Sequence, residues 1–133
     1  MNPNHAQRNA QLAIRLGLAF VFLIFGIDKF RGEEVQLASW ADWVPRWFST
    51  LIGGQVKAFI SVLGIFEILV GLAFLTGYLL FWAALLSSLF LLATVLLSTS
   101  GLFFGGLDQY TIRDIGLLGG TISLLFFPGS RRR

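Results

Sequence analysis

The chain has 133 residues, of which 56% are hydrophobic, 15% aromatic and only 13% charged, with a formal net charge of +3 and a mean hydropathy of +0.77. That much apolar surface exceeds what a water-soluble domain of this size hides, so the bilayer is the expected solvent. With no cysteine and a single histidine, disulfide, thiol-redox, iron–sulfur and Cys/His metal chemistry are excluded from the chain's own repertoire.

Four stretches, 11–30, 56–79, 81–99 and 111–127, have the length and apolarity to cross a hydrocarbon core that takes ~20 residues of helix. No period-2 alternation supports a barrel, and backbone groups in lipid must be bonded within their own segment. The sequence therefore predicts an all-α, polytopic, four-transmembrane-helix bundle, a single transmembrane domain over residues 1–133. In the first stretch Arg15, Phe22, Gly26 and Lys29 share one helical face. Its closing run, Gly26-Ile27-Asp28-Lys29-Phe30, offers no small-residue cleavage site, so it reads as a retained span rather than a signal peptide. His5 falls in an expected polar tail before it.

The connection to the second span is amphipathic over 34–52. Leu37, Trp40, Val44, Trp47 and Leu51 make one apolar stripe, with Glu33, Glu34, Asp42 and Arg46 mostly off it. Pro45 predicts two short helices meeting there, lying in the membrane interface. Trp40, Trp43 and Trp47 fit an interfacial aromatic belt. The sharper reading makes them a lid that stacks on a flat lipid-soluble ligand such as a quinone.

Between residues 58 and 107 the only charged side chain is Glu67. A charge at the bilayer centre costs about 3 kcal/mol on insertion scales, so a carboxylate there reads by default as functional, with a partner to be named. Gly64 and Gly71 flank it on the same face, where a neighbouring helix can approach closely. The third span carries Ser87, Thr94 and Ser98 on one stripe as interhelical glue, and the fourth carries Arg113, Gly116 and Gly120 on one face, with Asp114 and Thr121 beside it. Gly116 and Gly120 predict a small-xxx-small contact.

An even number of spans puts Arg8 and Arg15 on the same side as Arg131, Arg132 and Arg133. The positive-inside rule makes that side cytoplasmic. Counting depth from the span ends places Arg15 ~9 Å from Glu67 along the bundle axis. The expectation is a Glu67–Arg15 pair, direct or through water, and an outer pair of Asp114 with Lys29 or Arg113. The plainer alternatives are an Arg15 that snorkels to the headgroups and a neutral Glu67 bonded to a serine.

Arg15-Leu16-Gly17-Leu18-Ala19-Phe20 followed by Phe25-Gly26-Ile27-Asp28-Lys29-Phe30 resembles the first helix of the DoxX family of small four-helix membrane proteins. Gly64-Ile65-Phe66-Glu67-Ile68-Leu69-Val70-Gly71 with Gly77 resembles that family's second helix, and Arg113-Asp114-Ile115-Gly116 the opening of its fourth. The resemblance implies a cell-membrane component of respiratory or quinone-linked redox assemblies, such as the DoxD-like part of thiosulfate:quinone oxidoreductase. Because the chain has no carrier of its own, a soluble or membrane partner would supply the electrons. The expected roles are proton handling and polarisation by Glu67 and Arg15, and contact with a quinone by Lys29, Trp40, Trp47, Arg113 and Asp114. A scaffold subunit and a small proton-coupled carrier are the competing readings. A homo-oligomer fits both the carrier reading and the glycine face of the fourth span. The expected surroundings are lipid, with no nucleic acid and no metal.

Overall fold

The computed structural model describes residues 3–31, 46–51, 53, 55–105 and 109–126, without the side chains of 3, 48, 49, 97–105 and 109–111. The described residues form four long helices and one short one, with no strand among them. They are α1 (Pro3–Asp28), α2 (Arg46–Leu51), α3 (Val56–Thr76), α4 (Leu80–Gly105) and α5 (Gln109–Phe126). Helix α1 begins well before the expected span, so His5 lies on an exposed helical turn rather than in a tail. Pro3 opens that helix, where a missing N–H removes no intrahelical bond. Helix α4 likewise runs past its expected end. Of the expected interfacial segment 34–52, only α2 falls among the described residues; Trp40, Trp43 and Pro45 lie outside them.

Side-chain contacts fix the arrangement. Gly26 faces Gly64 and Leu23 faces Gly71, so α1 and α3 run antiparallel. Thr94 meets Asp114 and Ser88 meets Thr121, so α4 and α5 do too. Arg113 lies over Phe25 and Gly120 faces Leu18, joining α5 to α1, while the Phe66 and Phe90 rings, 5.3 Å apart, join α3 to α4. The four long helices thus close a ring in the order α1, α3, α4, α5. Leu18, Ala19, Phe22, Val70, Phe74 and Leu124 meet at its centre.

The distribution of polarity is inverted relative to a soluble protein. Glu67, Ser87, Ser88, Asp114 and Thr121 are buried, whereas Phe20, Ile24, Leu69, Leu72, Trp82, Leu89 and Ile115 are exposed. Every long helix thus has an apolar exterior, more exposed apolar surface than water tolerates as a patch. Residues Asn4–Asp28 and Val56–Thr76 are each long and apolar enough to cross a membrane, and only 22% and 33% of their most apolar windows are buried in the protein. The 21 residues of α3 rise ~32 Å, matching the hydrocarbon thickness.

Close glycine packing sets how α1 slides along α3. A methyl placed on Gly26 would come within 3.0 Å of both the Gly64 carbonyl oxygen and the Ile68 nitrogen, so the two backbones touch there. One placed on Gly71 would meet Leu23 Cγ at 2.7 Å. At this register the end of α1 is level with Gly64, about two turns inside the start of α3. At the opposite end α1 runs on past the last residue of α3. The link from α3 to α4 is tight: Gly77 (φ 75°) ends α3 in the left-handed region with its N–H donated to the Ala73 carbonyl at 2.9 Å. Leu79 (φ 53°) is also left-handed, a costly conformation for a residue with a Cβ, and its carbonyl accepts from the Ala83 N–H of α4.

Candidate functional site

Because α1 stops short, the first residue past it enters the bundle at the level of the middle of α3. Lys29 Nζ donates to Glu67 Oε2 at 2.6 Å, with side chains 18% and 10% exposed. The Lys29 stem lies against Gly64, one turn from Glu67, and the Phe30 ring covers the same glycine. A side chain at position 64 would displace both groups. The glycine therefore contributes to the site by its smallness, in addition to allowing the helices to approach.

A second ion pair joins from α5. Arg113 Nε donates to Asp114 Oδ1 at 2.8 Å, and its Nη2 stands 2.7 Å from the same oxygen. The Thr94 hydroxyl of α4 lies 3.2 Å from Asp114 Oδ2 and 2.8 Å from its own helix's Leu91 carbonyl, so one proton is shared between two acceptors. Both Arg113 and Asp114 are close enough to Glu67 to act on it electrostatically. The guanidinium carbon of Arg113 also lies 4.2 Å from the centroid of the Phe25 ring, a cation–π contact that ties α5 to α1. Two ion pairs result: Lys29, just past α1, with Glu67 of α3, and Arg113 with Asp114 of α5, the latter braced by Thr94 of α4.

Arg15 is elsewhere, and the expected Glu67–Arg15 pair is not formed. Its Nε donates to the Phe74 carbonyl at 3.2 Å, and its guanidinium lies against Gly77. Phe74 is two turns beyond Glu67, ~10 Å along α3. Arg15 instead meets an orphan carbonyl at a helix C-terminus, where a cation also complements the helix dipole. Gly77 leaves room for it: any Cβ there would collide with the guanidinium. Among the described residues Glu67 has no serine partner either; its partner is Lys29.

The other expected residues divide. Lys29, Arg113 and Asp114 join Glu67, and Asp114 takes Arg113 as its partner. Trp47 is 59% exposed on α2, and Trp40 lies outside the described residues. On the α4 stripe Thr94 bonds across to Asp114, but the Ser87 hydroxyl donates to the Ala84 carbonyl of its own helix. Its neighbour Ser88 makes the deeper cross-link, donating at 2.9 Å to Thr121, which passes its own proton to the Leu118 carbonyl. The side chain of Ser98 is outside the described residues. Of the two paired glycines only Gly120 faces a neighbour: a methyl placed there would lie 3.4 Å from Leu18, whereas one on Gly116 would meet nothing within 4 Å among the described residues, so the expected contact is not made between those residues. Phe25 and Ser88 were not singled out from the sequence: Phe25 stands among many phenylalanines, and only its placement opposite Arg113 distinguishes it.

Neither a comparison with curated proteins nor one with solved structures returned a match. A family model, DoxX, matches residues 10–100. The matched segment holds Arg15, Gly26, Lys29, Gly64, Glu67, Gly71 and Gly77, so both the ion pair and the helix cap fall within it, while Arg113 and Asp114 lie beyond its end. Since the match spans more than half of the 133 residues and includes the residues that lock α1 to α3, the chain is a membrane protein of the DoxX family.

Proposed function

We propose that the chain is a four-span subunit of a quinone-linked oxidoreductase in the cell membrane, with both termini cytoplasmic and a partner protein supplying the electrons. The observation that carries this reading is the Lys29–Glu67 pair, 2.6 Å long and set among apolar helices. Ionisable groups at such depth are costly and tend to mark proton or substrate pathways. The donor set fits a quinone headgroup. Lys29 and Arg113 would bring N–H donors to carbonyl oxygens, and Glu67 and Asp114 would bring carboxylates able to take up or release protons. A bound quinone would supply the electron-accepting ring that the protein's own side chains lack. Lys29 and Glu67 orient it and hold the proton; Thr94 fixes the Asp114 carboxylate; the surrounding apolar faces keep water out. In this reading Arg15 is a helix cap rather than a reacting group. The pairing of both acids also favours a scaffold subunit whose ions only fix helix register, and the two readings separate on ligand binding.

Titration of ubiquinone-1 into protein purified in mild detergent, followed by tryptophan fluorescence, tests the proposal. The wild type is expected to bind saturably at one site. Glu67→Gln is expected to weaken binding by about tenfold or more, the worth of one charge-assisted hydrogen bond. Arg15→Ala, at the other end of α3, should leave the affinity unchanged. A wild type with no saturable binding returns the cluster to scaffolding.

A further inference from the structure

Arg15 is only partly used by the contact it makes. We infer that it binds an anionic phospholipid, its guanidinium taking two oxygens of the lipid phosphate at the end of the bundle where α3 turns into α4. Neither Lys29 nor Glu67 takes part, so the site is independent of the quinone reading.

Arg15 is held from one side. Its Nε donates to the Phe74 carbonyl at 3.2 Å, and the guanidinium lies against Gly77, whose φ of 75° closes α3. A snorkelling arginine carries its whole head group into the surface layer, whereas this one is tied to the last turn of a neighbouring helix. The tie uses one of the five N–H donors of a guanidinium, and Nη1 and Nη2 have no acceptor among the described residues. The side chain is half-buried, so the remaining donors are partly cut off from bulk water and gain from an acceptor that the membrane surface supplies.

The surroundings select that acceptor. None of the seven acidic residues falls within 1–27, 68–107 or 115–133, the stretches that contain the start of α1, the α3–α4 link and the end of α5. The same end carries Arg8, exposed two turns before Arg15 on one face of α1, and Arg131, Arg132 and Arg133 follow α5 in the chain. No carboxylate of this end competes for the free donors, and the local field is positive. Leu12 and Leu16, close to Arg15 in sequence, and Leu75, next to Phe74, are exposed. The ligand that fits has an anionic head on an apolar body. A phosphodiester meets the guanidinium fork through two oxygens, and its acyl chains would lie along the leucines. Net charge selects further: the ammonium of a zwitterionic headgroup finds no acid here and faces Arg8, which favours phosphatidylglycerol over phosphatidylcholine.

The test titrates dioleoylphosphatidylglycerol and dioleoylphosphatidylcholine into the full-length protein, stripped of lipid in a neutral detergent, and counts bound lipid by native mass spectrometry, with thermal unfolding run on each variant. The wild type should bind phosphatidylglycerol about fivefold more tightly than phosphatidylcholine, the effect of one basic side chain on an anionic headgroup. Arg15→Gln keeps an N–H donor for the Phe74 carbonyl but no charge, and should lose that preference. Arg15→Lys keeps the charge without the fork and should fall between the two; it carries the test if Arg15→Gln does not fold. Arg8→Gln should lose less than either. A wild type without headgroup preference, an Arg15→Gln or Arg15→Lys protein that binds as the wild type does, or an Arg8→Gln loss as large as those at Arg15 overturns the inference, the last by showing a diffuse field in place of a site. Glycerol 1-phosphate added in large excess separates the lipid from free phosphate. Phosphatidylglycerol that stays bound is the expected result, and its displacement would assign Arg15 to a soluble phosphate and overturn the lipid assignment.

Discussion

Replacing Lys29 by Met is expected to destabilise the protein by about 3 kcal/mol, the lower part of the range for orphaning one member of a buried ion pair. The lower part applies because the pair is not fully enclosed, with side chains 18% and 10% exposed. Glu67→Met should cost less. Its orphan, Lys29, sits at the end of α1 on a long flexible stem and can extend towards the surface, whereas an orphaned Glu67 in the middle of α3 has nowhere to go. The double variant Lys29→Met/Glu67→Met exchanges the ions for apolar groups of similar volume and should recover most of the loss. Equilibrium unfolding of the four proteins in mixed micelles gives the coupling energy directly. Strictly additive losses would show that the 2.6 Å contact carries no energy.

The second large effect belongs to glycine. Gly26→Ala should cost about 1–3 kcal/mol, since the added methyl would meet Ile68 Cγ1 at 2.8 Å and, at 3.0 Å, the Gly64 carbonyl oxygen and the Ile68 nitrogen, backbone atoms that yield only by moving the helices apart. Gly64→Ala should be milder, because its methyl would reach the Phe30 ring at 2.8 Å but backbone, the Gly26 carbonyl oxygen, only at 3.2 Å. Gly116→Ala is the contrast. With open space around it and a gain in helix propensity, it should be neutral or stabilising by up to about 1 kcal/mol. Thermal unfolding of the three variants, side by side, checks the order. A destabilised Gly116→Ala would point to a neighbour beyond the described residues, in this chain or in another.

Much of this arrangement is legible in the sequence. The charge-free run around Glu67, the glycines three and four residues to either side of it, and the shared face of Arg15, Gly26 and Lys29 point to α1 against α3 with an ionic contact between them. Helical phase supplies which residues share a face, but it does not supply how far one helix slides along the other. Depth counted from the span ends puts Arg15 ~9 Å from Glu67, and the structure keeps about that separation; the expected pair fails because it asks two side chains to reach across the gap. With Gly26 packed on Gly64, Lys29 comes within reach of Glu67, and Arg15 finds its partner at Phe74 and Gly77. Phase errors of one residue have smaller consequences of the same kind: Ser88, next to the expected Ser87, makes the cross-link to Thr121. Contacts such as Arg113 over Phe25 depend on two helices far apart in the chain, and no local pattern encodes them.

The most direct measurement is native mass spectrometry of the protein extracted from its own membrane in mild detergent, comparing wild type with Lys29→Met/Glu67→Met. The double variant keeps the fold while removing the ions, so it separates chemistry from stability. A stoichiometric quinone on the wild type and none on an equally stable double variant is the expected result. Quinone retained without the ions, or a wild type that carries none, would contradict a quinone site at Lys29 and Glu67.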